Sequence, residues 1–323
     1  TYPTGGYSLT GETPSGQYYI RFYWNGPVRR YATSADLTNG GNVRIKGTIV
    51  FQAEYDATWT PERLGAAVVG WFDAASTISL TLVDNKVAAW KNRGVAALSI
   101  GQVTAAKRPA YNSAGWDATR PCLSSGGGND GPILTGPIST LSGNRWLFIV
   151  AERAVQDATN TSTALRALVS TGDAAGNRVY PSVLLPSSDA AQTGFRVQAS
   201  GTGGGAAQVA PWAIDTKAVL FSSIGATMGA GINGATPSGT AALGSGSPVT
   251  EFGIFGLVGS ATTDKASRLA GKISEVLVID PTLLPNGGST FDRQKIEGYL
   301  AHKWGIQNSL AAGHPFLTTA PVN

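Results

Sequence analysis

The sequence predicts an all-β protein: a two-sheet sandwich with one helix near the C-terminus, preceded by a small N-terminal β domain. Charged residues make up only 14% of the 323 residues, and 42 residues are glycine, close to twice the usual share of about 7%. Apolar, β-branched segments recur roughly every 8 to 15 residues between Gly-rich turns, a spacing typical of antiparallel sandwiches.

The N-terminal residues 1–62 are predicted to form a separate small β domain. The segment "QYYIRFYWNG" (17–26) is rich in aromatic and β-branched residues and ends in an Asn-Gly turn signal. The segment "NVRIKGTIVFQAEY" (42–55) alternates apolar and polar residues, as a half-buried strand does. The larger domain is then expected to cover residues 63–323.

The larger domain shows short strand-like segments separated by Gly, Ser, Thr and Asn. Regular short strands separated by such turn signals suggest a sandwich or jelly roll. The candidate strands are 145–154, 164–171, 194–200, 217–226, 251–259 and 271–280.

One segment, "DRQKIEGYLAHKWG" (292–305), has the pattern of an amphipathic helix. Ser289 or Thr290 is the expected N-cap, and Gly305 is expected to end the helix. An apolar stripe at i, i+3, i+4 and i+8 predicts that one face packs on the sandwich; it consists of Ile296, Tyr299, Leu300 and Trp304. We interpret this helix as closing the fold.

Charge and cysteine content exclude several classes of protein. The 24 basic and 20 acidic residues are mixed along the chain, so no basic stripe for nucleic acid is predicted. Cys122 is the single cysteine, which rules out an intrachain disulfide. No signal peptide and no apolar run of about 18 residues is visible, so we expect assembly in the cytoplasm without membrane insertion.

Both ends of the larger domain resemble concanavalin A-like, laminin G-type domains of bacterial and bacteriophage proteins. The first end is "GWFDAASTISLTLVDNKVAAWKNRG" (70–94), and the second, closer match is "ISEVLVID…DRQKIEGYLAHKWG…LAAGHPF" (273–316). The resemblance covers roughly residues 68 to 318 and implies a two-sheet jelly-roll sandwich. Ser76 departs from the pattern, which usually has an acidic residue there. The matching residues at the first end are Trp71, Asp73, Ala74, Trp90, Asn92 and Gly94.

The resemblance implies a virion-associated structural protein. In that interpretation residues 1–62 dock on other virion proteins of a tail or capsid, and the sandwich contacts bacterial surface polysaccharide during host attachment. Several copies, as in a homo-oligomer, would raise a weak affinity through effective concentration. A purely structural decoration protein and a polysaccharide-cleaving enzyme are the alternatives.

Catalytic patterns are sparse, and we expect no enzyme. Glycosidases use a pair of carboxylates flanking the scissile bond, and on one strand such a pair stands two residues apart. Glu54 and Asp56 are the one such pair, outside the sandwich. Isolated acids could still meet in space: Asp73, Glu152, Asp173 and Glu275. The two histidines, His302 and His314, lie in the closing segment and are interpreted as packing residues.

A sugar site needs an aromatic face beside amide or carboxylate groups in a shallow cleft. Trp116 is expected to be exposed, because Gly115 and Asp117 flank it without apolar alternation. The predicted glycan-binding residues are Trp116, Asp117, Asn177, Tyr180 and Trp212.

Domains of the resembled fold often hold calcium in loops at the rim of the sandwich. In "TGDAAGNRVY" (171–180), Asp173 and Asn177 could supply oxygen ligands. These two residues lack the dense acidic spacing of a dedicated calcium loop, and Asp and Asn beside Gly are common turn residues. We predict no cofactor, with calcium at Asp173 and Asn177 as the alternative.

Overall fold

The computed structural model divides the chain into two compact units, Thr1–Ala57 and Thr58–Asn323. In the first unit the structure describes two short strands that pair antiparallel, β1 (Tyr23–Trp24) and β2 (Ile49–Val50). Each strand lies inside one of the two segments that the sequence predicted to be extended. The boundary at residue 62 stays a prediction. The described residues are 23–24, 49–50, 59–96, 98–126, 132–137, 144–154, 165–172, 178–184, 194–200, 206–225, 227–242, 251–256, 258 and 269–322.

The second unit is built almost entirely of strands. They are β3 (Val68–Asp73), β4 (Leu80–Val83), β5 (Lys86–Lys91), β6 (Ser99–Gly101), β7 (Ala110–Asn112), β8 (Cys122–Gly126), β9 (Leu134–Pro137), β10 (Arg145–Arg153), β11 (Leu165–Ala167), β12 (Val169–Gly172), β13 (Arg178–Leu184), β14 (Gly194–Ser200), β15 (Ala206–Pro211), β16 (Lys217–Ile224), β17 (Thr227–Ile232), β18 (Ser238–Ala242), β19 (Glu251–Ile254) and β20 (Ala270–Ile279). The described helices are α1 (Thr290–Lys303) and the 3-10 helices Pro61–Ala67, Thr77–Ser79, Ala105–Lys107, Pro281–Leu283 and Gln307–Ser309.

All described strand pairs of this unit are antiparallel, and they form two runs of neighbours. One run has the order β3-β20-β10-β16-β17-β18. The other has the order β5-β6-β9-β19-β12-β13-β14-β15. Strands β7 and β8 connect the two runs, because β8 pairs with β20 and β7 pairs with β5. The predicted all-β sandwich is therefore confirmed.

Aromatic contacts between the two runs mark the core of the sandwich. Phe72 on β3 stacks on Phe252 of β19 with ring centroids 5.5 Å apart, and Trp90 on β5 meets Phe72 edge-on at 5.6 Å. All three side chains are buried. Burying one such ring contributes about 1.5–3 kcal/mol, so these contacts hold the two layers together.

The C-terminal helix has the start and the buried face that the sequence predicted. Ser289 is the N-cap: its Oγ accepts a hydrogen bond from the Asp292 N–H (3.1 Å), and Asp292 Oδ2 accepts one from the Ser289 N–H (3.1 Å). This reciprocal pair is a capping box. The predicted stripe is at most 6% exposed at any position and comprises Ile296, Tyr299, Leu300 and Trp304.

The helix ends where glycine was expected to end it. Gly305 has a φ of +68°, a left-handed conformation that costs glycine little. Within the described ranges, no helix is both long enough and apolar enough to cross a bilayer.

Candidate functional site

Trp116, which was expected to be exposed, is buried, and that expectation is wrong. Only 2% of the residue is accessible, and its indole N–H donates to the Trp304 carbonyl at 2.9 Å. Arg120, in the same loop, also contacts the end of α1: its Nε donates a hydrogen bond to the Lys303 carbonyl at 2.8 Å. The loop thus satisfies carbonyl groups that the end of a helix leaves unpaired. Trp116 is therefore packed in the interior, whereas the ring of a sugar-binding tryptophan has to face solvent.

Trp212 is also unavailable to a sugar. It is 2% exposed, its indole N–H donates to the Thr216 carbonyl at 2.9 Å, and its own carbonyl accepts from Arg153 at 2.5 Å. A large ring with a satisfied N–H is the usual state of a core tryptophan. Neither of the two predicted tryptophans offers a flat exposed face.

Two further predicted glycan-binding residues, Asp117 and Tyr180, lie on described parts of the chain. Asp117 is partly exposed, but Thr119 and Arg120 already donate hydrogen bonds to its carboxylate. Tyr180 lies on β13, with its side chain outside the described part of the chain. The binding roles of Asp117 and Tyr180 stay predictions.

The predicted calcium ligands, Asp173 and Asn177, lie outside the described residues. Among the residues that the structure does describe, no group of three or more His, Cys, Asp or Glu side chains could hold a metal ion. Calcium binding at these two residues is thus a prediction that the described structure does not address.

A small pocket lies elsewhere in the sandwich, beside α1. A pocket of about 100 Å³ opens between the segment before the 3-10 helix Pro61–Ala67 and the first turns of α1. Pockets for drug-sized ligands have volumes of about 300–1,000 Å³. This pocket is smaller, so it suits one small chemical group. The lining residues are Trp59, Leu64, Leu284, Pro285, Asn286, Phe291, Asp292 and Lys295.

The floor of the pocket is held by the core. Trp59 is 4% exposed, and its ring meets the Tyr299 ring of α1 edge-on with centroids 5.8 Å apart. The Trp59 backbone N–H donates to the Pro321 carbonyl at 3.0 Å, which ties this segment to the C-terminal residues. The floor is therefore fixed by contacts distant in the sequence.

The wall of the pocket comes from the loop that leads into α1. Gly288 has a φ of +75°, and a Cβ at this position would lie 2.9 Å from the Pro281 Cβ. Glycine therefore permits both the backbone turn and the close approach. The loop then places Asn286 at the rim, where its side-chain N–H donates to Asp292 Oδ1 at 2.8 Å.

Hydrogen bonding inside the pocket leaves one acceptor for a ligand. Asp292 uses Oδ1 for Asn286 and Oδ2 for the Ser289 backbone and hydroxyl groups. Asn286 is an exposed residue, and its side-chain oxygen Oδ1 has no protein hydrogen-bond partner within the described chain. It can accept a hydrogen bond from a hydroxyl group.

Phe291 supplies the exposed aromatic surface. The residue is 51% exposed, and its ring contacts Phe316 at a centroid distance of 5.9 Å with the planes tilted by 49°. That contact holds the ring while about half of the residue faces solvent. The spacing in the sequence could have indicated this surface. Phe291 and Lys295 are four residues apart on α1 and lie off the buried stripe, so they are neighbours on the helix surface.

Lys295 supplies the donor. Its Nζ lies 5.4 Å from the centroid of the Trp59 ring. Burial lowers the pKa of this ammonium group, and the charge of Asp292 opposes the shift. The pocket thus combines an aromatic face, an amide acceptor and a cationic donor, and ligand pockets generally pair apolar surface with a few polar groups in this way.

The isolated acids Asp73 and Glu275 do meet in space, in a buried cluster at the other end of α1. They pair across the β3–β20 ladder, and Lys303 Nζ lies 2.9 Å from Asp73 and 2.7 Å from Glu275. Glu275 also accepts from the indole N–H groups of Trp71 (2.7 Å) and Trp304 (2.5 Å).

Glu275 in this cluster is shielded from solvent. Desolvation raises the pKa of the fully buried carboxyl group, and Lys303 opposes that shift. Each of its oxygens already has a donor, so the side chain has no open approach for a glycosidic bond. We interpret the cluster as holding α1 on the sheet.

Comparison with known proteins gives likenesses of structure only. No protein-family model matches the chain, and no curated protein sequence matches it. A Trypanosoma rangeli sialidase in complex with 2,3-difluoro-KDN is similar with a TM-score of 0.44 and 10% identity, over 74% of this chain and 33% of the sialidase. The chain thus matches about a third of the sialidase's length.

Two further solved structures are similar at the same level. Domain 4 of an extracellular GH43 arabinanase from Geobacillus stearothermophilus, in complex with arabinotriose, has a TM-score of 0.41 and 10% identity, over 70% of this chain and 100% of that domain. The binding domain of botulinum neurotoxin serotype G has a TM-score of 0.44 and 7% identity, over 71% of this chain and 51% of that chain.

These matches correct one expectation. The exclusion of enzymatic activity is wrong as it stands, because a sialidase and a domain of an arabinanase are among the structures matched.

Proposed function

We propose that the sandwich domain binds carbohydrate, and that the pocket beside the first turns of α1 receives one sugar unit. The observation that carries the proposal is the joint placement of the Phe291 ring, the Asn286 carbonyl oxygen and the Lys295 ammonium group around one opening. A sugar presents C–H groups on one face of its ring and hydroxyl groups around its edge. The aromatic surface and the two polar groups match these two features.

The small pocket fits a contact with one sugar of a longer chain. The rest of the glycan would extend into solvent, so the affinity of one site would be weak. Several copies on one particle would raise it through effective concentration. We therefore extend the proposal to display in many copies and to attachment of a bacteriophage virion to bacterial surface polysaccharide. The resemblance of residues 70–94 and 273–316 to domains of phage proteins supports that extension.

The experiment is binding of the purified protein to a panel of bacterial surface polysaccharides, with reducing ends assayed in the same wells. We expect binding that Phe291→Ala lowers at least tenfold. The matched control is Ile78→Ala, since Ile78 is an 89% exposed apolar side chain that does not line the pocket. Equal binding by both variants would place the site elsewhere.

The same wells separate the other functions. Release of new reducing ends would show a polysaccharide-cleaving enzyme. Absence of both binding and cleavage would contradict the proposal and favour a structural decoration protein. The oligomeric state, measured by light scattering after size-exclusion chromatography, tests multi-copy display.

A further inference from the structure

We infer that the sugar unit recognised by this pocket is an acidic one, whose carboxylate or sulfate group pairs with Lys295. This inference rests on the proposed carbohydrate-binding function and adds the chemical class of the ligand.

The first step is the charge state of the pocket. Lys295 is half-buried, and its ammonium group lies against the Trp59 ring. It forms no ion pair with an acidic side chain of the described chain, whereas Lys303 on the same helix has two carboxylates within 2.9 Å. The charge of Asp292 acts on Lys295 without forming a direct ion pair, so this partly desolvated cation lacks a contacting counter-ion, which is unfavourable. An anionic ligand would supply the missing partner.

The second step is that the acidic groups nearby are already occupied. Asp292 accepts hydrogen bonds from Ser289 and Asn286 and stabilises the start of α1. Glu62, on the neighbouring 3-10 helix, pairs with Arg93 at 2.7 Å. Arg63 is exposed on that same helix, next to the lining residue Leu64. Around the pocket, the two carboxylates of Glu62 and Asp292 are thus outnumbered by the three cations of Arg63, Arg93 and Lys295.

The third step separates charge recognition from stacking. Phe291 contributes an apolar face to any sugar, neutral or acidic, whereas Lys295 distinguishes between the two. A hydrogen bond between an ammonium group and a carboxylate is roughly twice as strong as one between neutral groups. Removal of the charge should therefore change the preference for acidic sugars, and removal of the ring should weaken binding of all sugars.

The experiment compares matched ligands on the intact protein. Oligogalacturonate is tested against its methyl ester, and dextran sulfate against dextran, by isothermal titration calorimetry. We expect the wild type to bind one or both acidic ligands at least tenfold more tightly than the uncharged partner. Lys295→Gln should remove that difference, and Lys91→Gln, which changes an exposed lysine of β5, should keep it within twofold. The pair that shows the difference identifies carboxylate or sulfate as the group recognised.

The outcomes distinguish this inference from the proposed function. Equal binding of charged and neutral ligands, lowered for both by Phe291→Ala, would overturn the acidic preference and leave carbohydrate binding intact. An acidic preference that Lys295→Gln and Lys91→Gln reduce equally would show attraction to the overall positive charge, and would also overturn the inference. Absence of binding to every ligand, with each variant folded by circular dichroism, would contradict both.

Discussion

Asp73 and Glu275 face each other across the β3–β20 ladder and share the ammonium group of Lys303. Asp73 lies near the start of the sandwich domain in the sequence, whereas Glu275 and Lys303 lie near its end. This contact therefore joins segments that are about 200 positions apart. Arg93 adds a second cation, with Nη1 2.7 Å from Asp73 and the guanidinium 3.8 Å from the centroid of the Trp71 ring. The cluster thus balances buried acids with cations on the helix and the adjoining loop.

Lys303→Met is expected to destabilise the protein by about 3–5 kcal/mol, because it leaves Glu275 buried without its cation. Urea unfolding followed by tryptophan fluorescence measures this loss. Adding Glu275→Gln to the Lys303→Met variant should recover part of the stability, since a neutral amide has less need of a counter-ion. Lys91→Met is the control, with an expected change within about 0.5 kcal/mol. A loss below about 1 kcal/mol for Lys303→Met would contradict a stabilising role of the cluster.

Trp304→Ala should lower the free energy of unfolding by about 3–5 kcal/mol, because it removes a fully buried ring and the N–H donor to Glu275. Phe291→Ala provides the comparison, since Phe291 is an exposed aromatic residue of the same helix. We expect that variant to lose less than about 1 kcal/mol. Similar losses for both variants in chemical denaturation would show that α1 does not pack through Trp304.

Asp117 should stabilise the protein in a way that is lost at acid pH. Partial desolvation acts to raise its pKa, but hydrogen bonds from the side chains and backbone of Thr119 and Arg120 outweigh this and hold the pKa at about 2, below the ordinary 3.8. A lowered folded-state pKa means that the contribution is present above pH 3.8 and disappears as pH falls towards 2.

The measurement for Asp117 is the difference in unfolding free energy between the wild type and Asp117→Asn from pH 7 to pH 2. We expect a constant difference above about pH 4 that then shrinks towards pH 2. A difference independent of pH across this range would show that the carboxylate charge contributes nothing.

The Cys122 thiol should resist modification in the folded protein. The residue is 1% exposed, and burial raises its pKa to about 11, with the charge of Lys272 opposing the shift. The reactive thiolate is therefore scarce at neutral pH. Ellman's reagent should react with the native protein far more slowly than with protein that has been unfolded in concentrated urea. Full labelling of native protein within minutes would contradict this burial.

Local patterns in the sequence predicted the closing helix and six strand segments of the sandwich, but not every strand that the structure contains. The stripe ending at Trp304, the N-cap at Ser289 and the stop at Gly305 each depend on neighbours within about one or two turns of α1. Strand segments such as β10 and β20 also followed from short apolar runs between turn residues. These features depend on backbone preferences and on residue spacing along the chain, which a sequence displays directly.

The tertiary structure alone decided which side chains are buried and which meet. Trp116 looked exposed between Gly115 and Asp117, but its indole group bonds to Trp304, 188 positions away. The pocket likewise needs Trp59 beside Phe291, and these residues come together only when the sheet and α1 pack. Long-range packing decides which side chains are buried, and it also decides whether an aromatic ring is covered or exposed. The sequence by itself determined the β-sandwich and its closing helix, whereas the position of the candidate site depended on contacts that spacing along the chain does not encode.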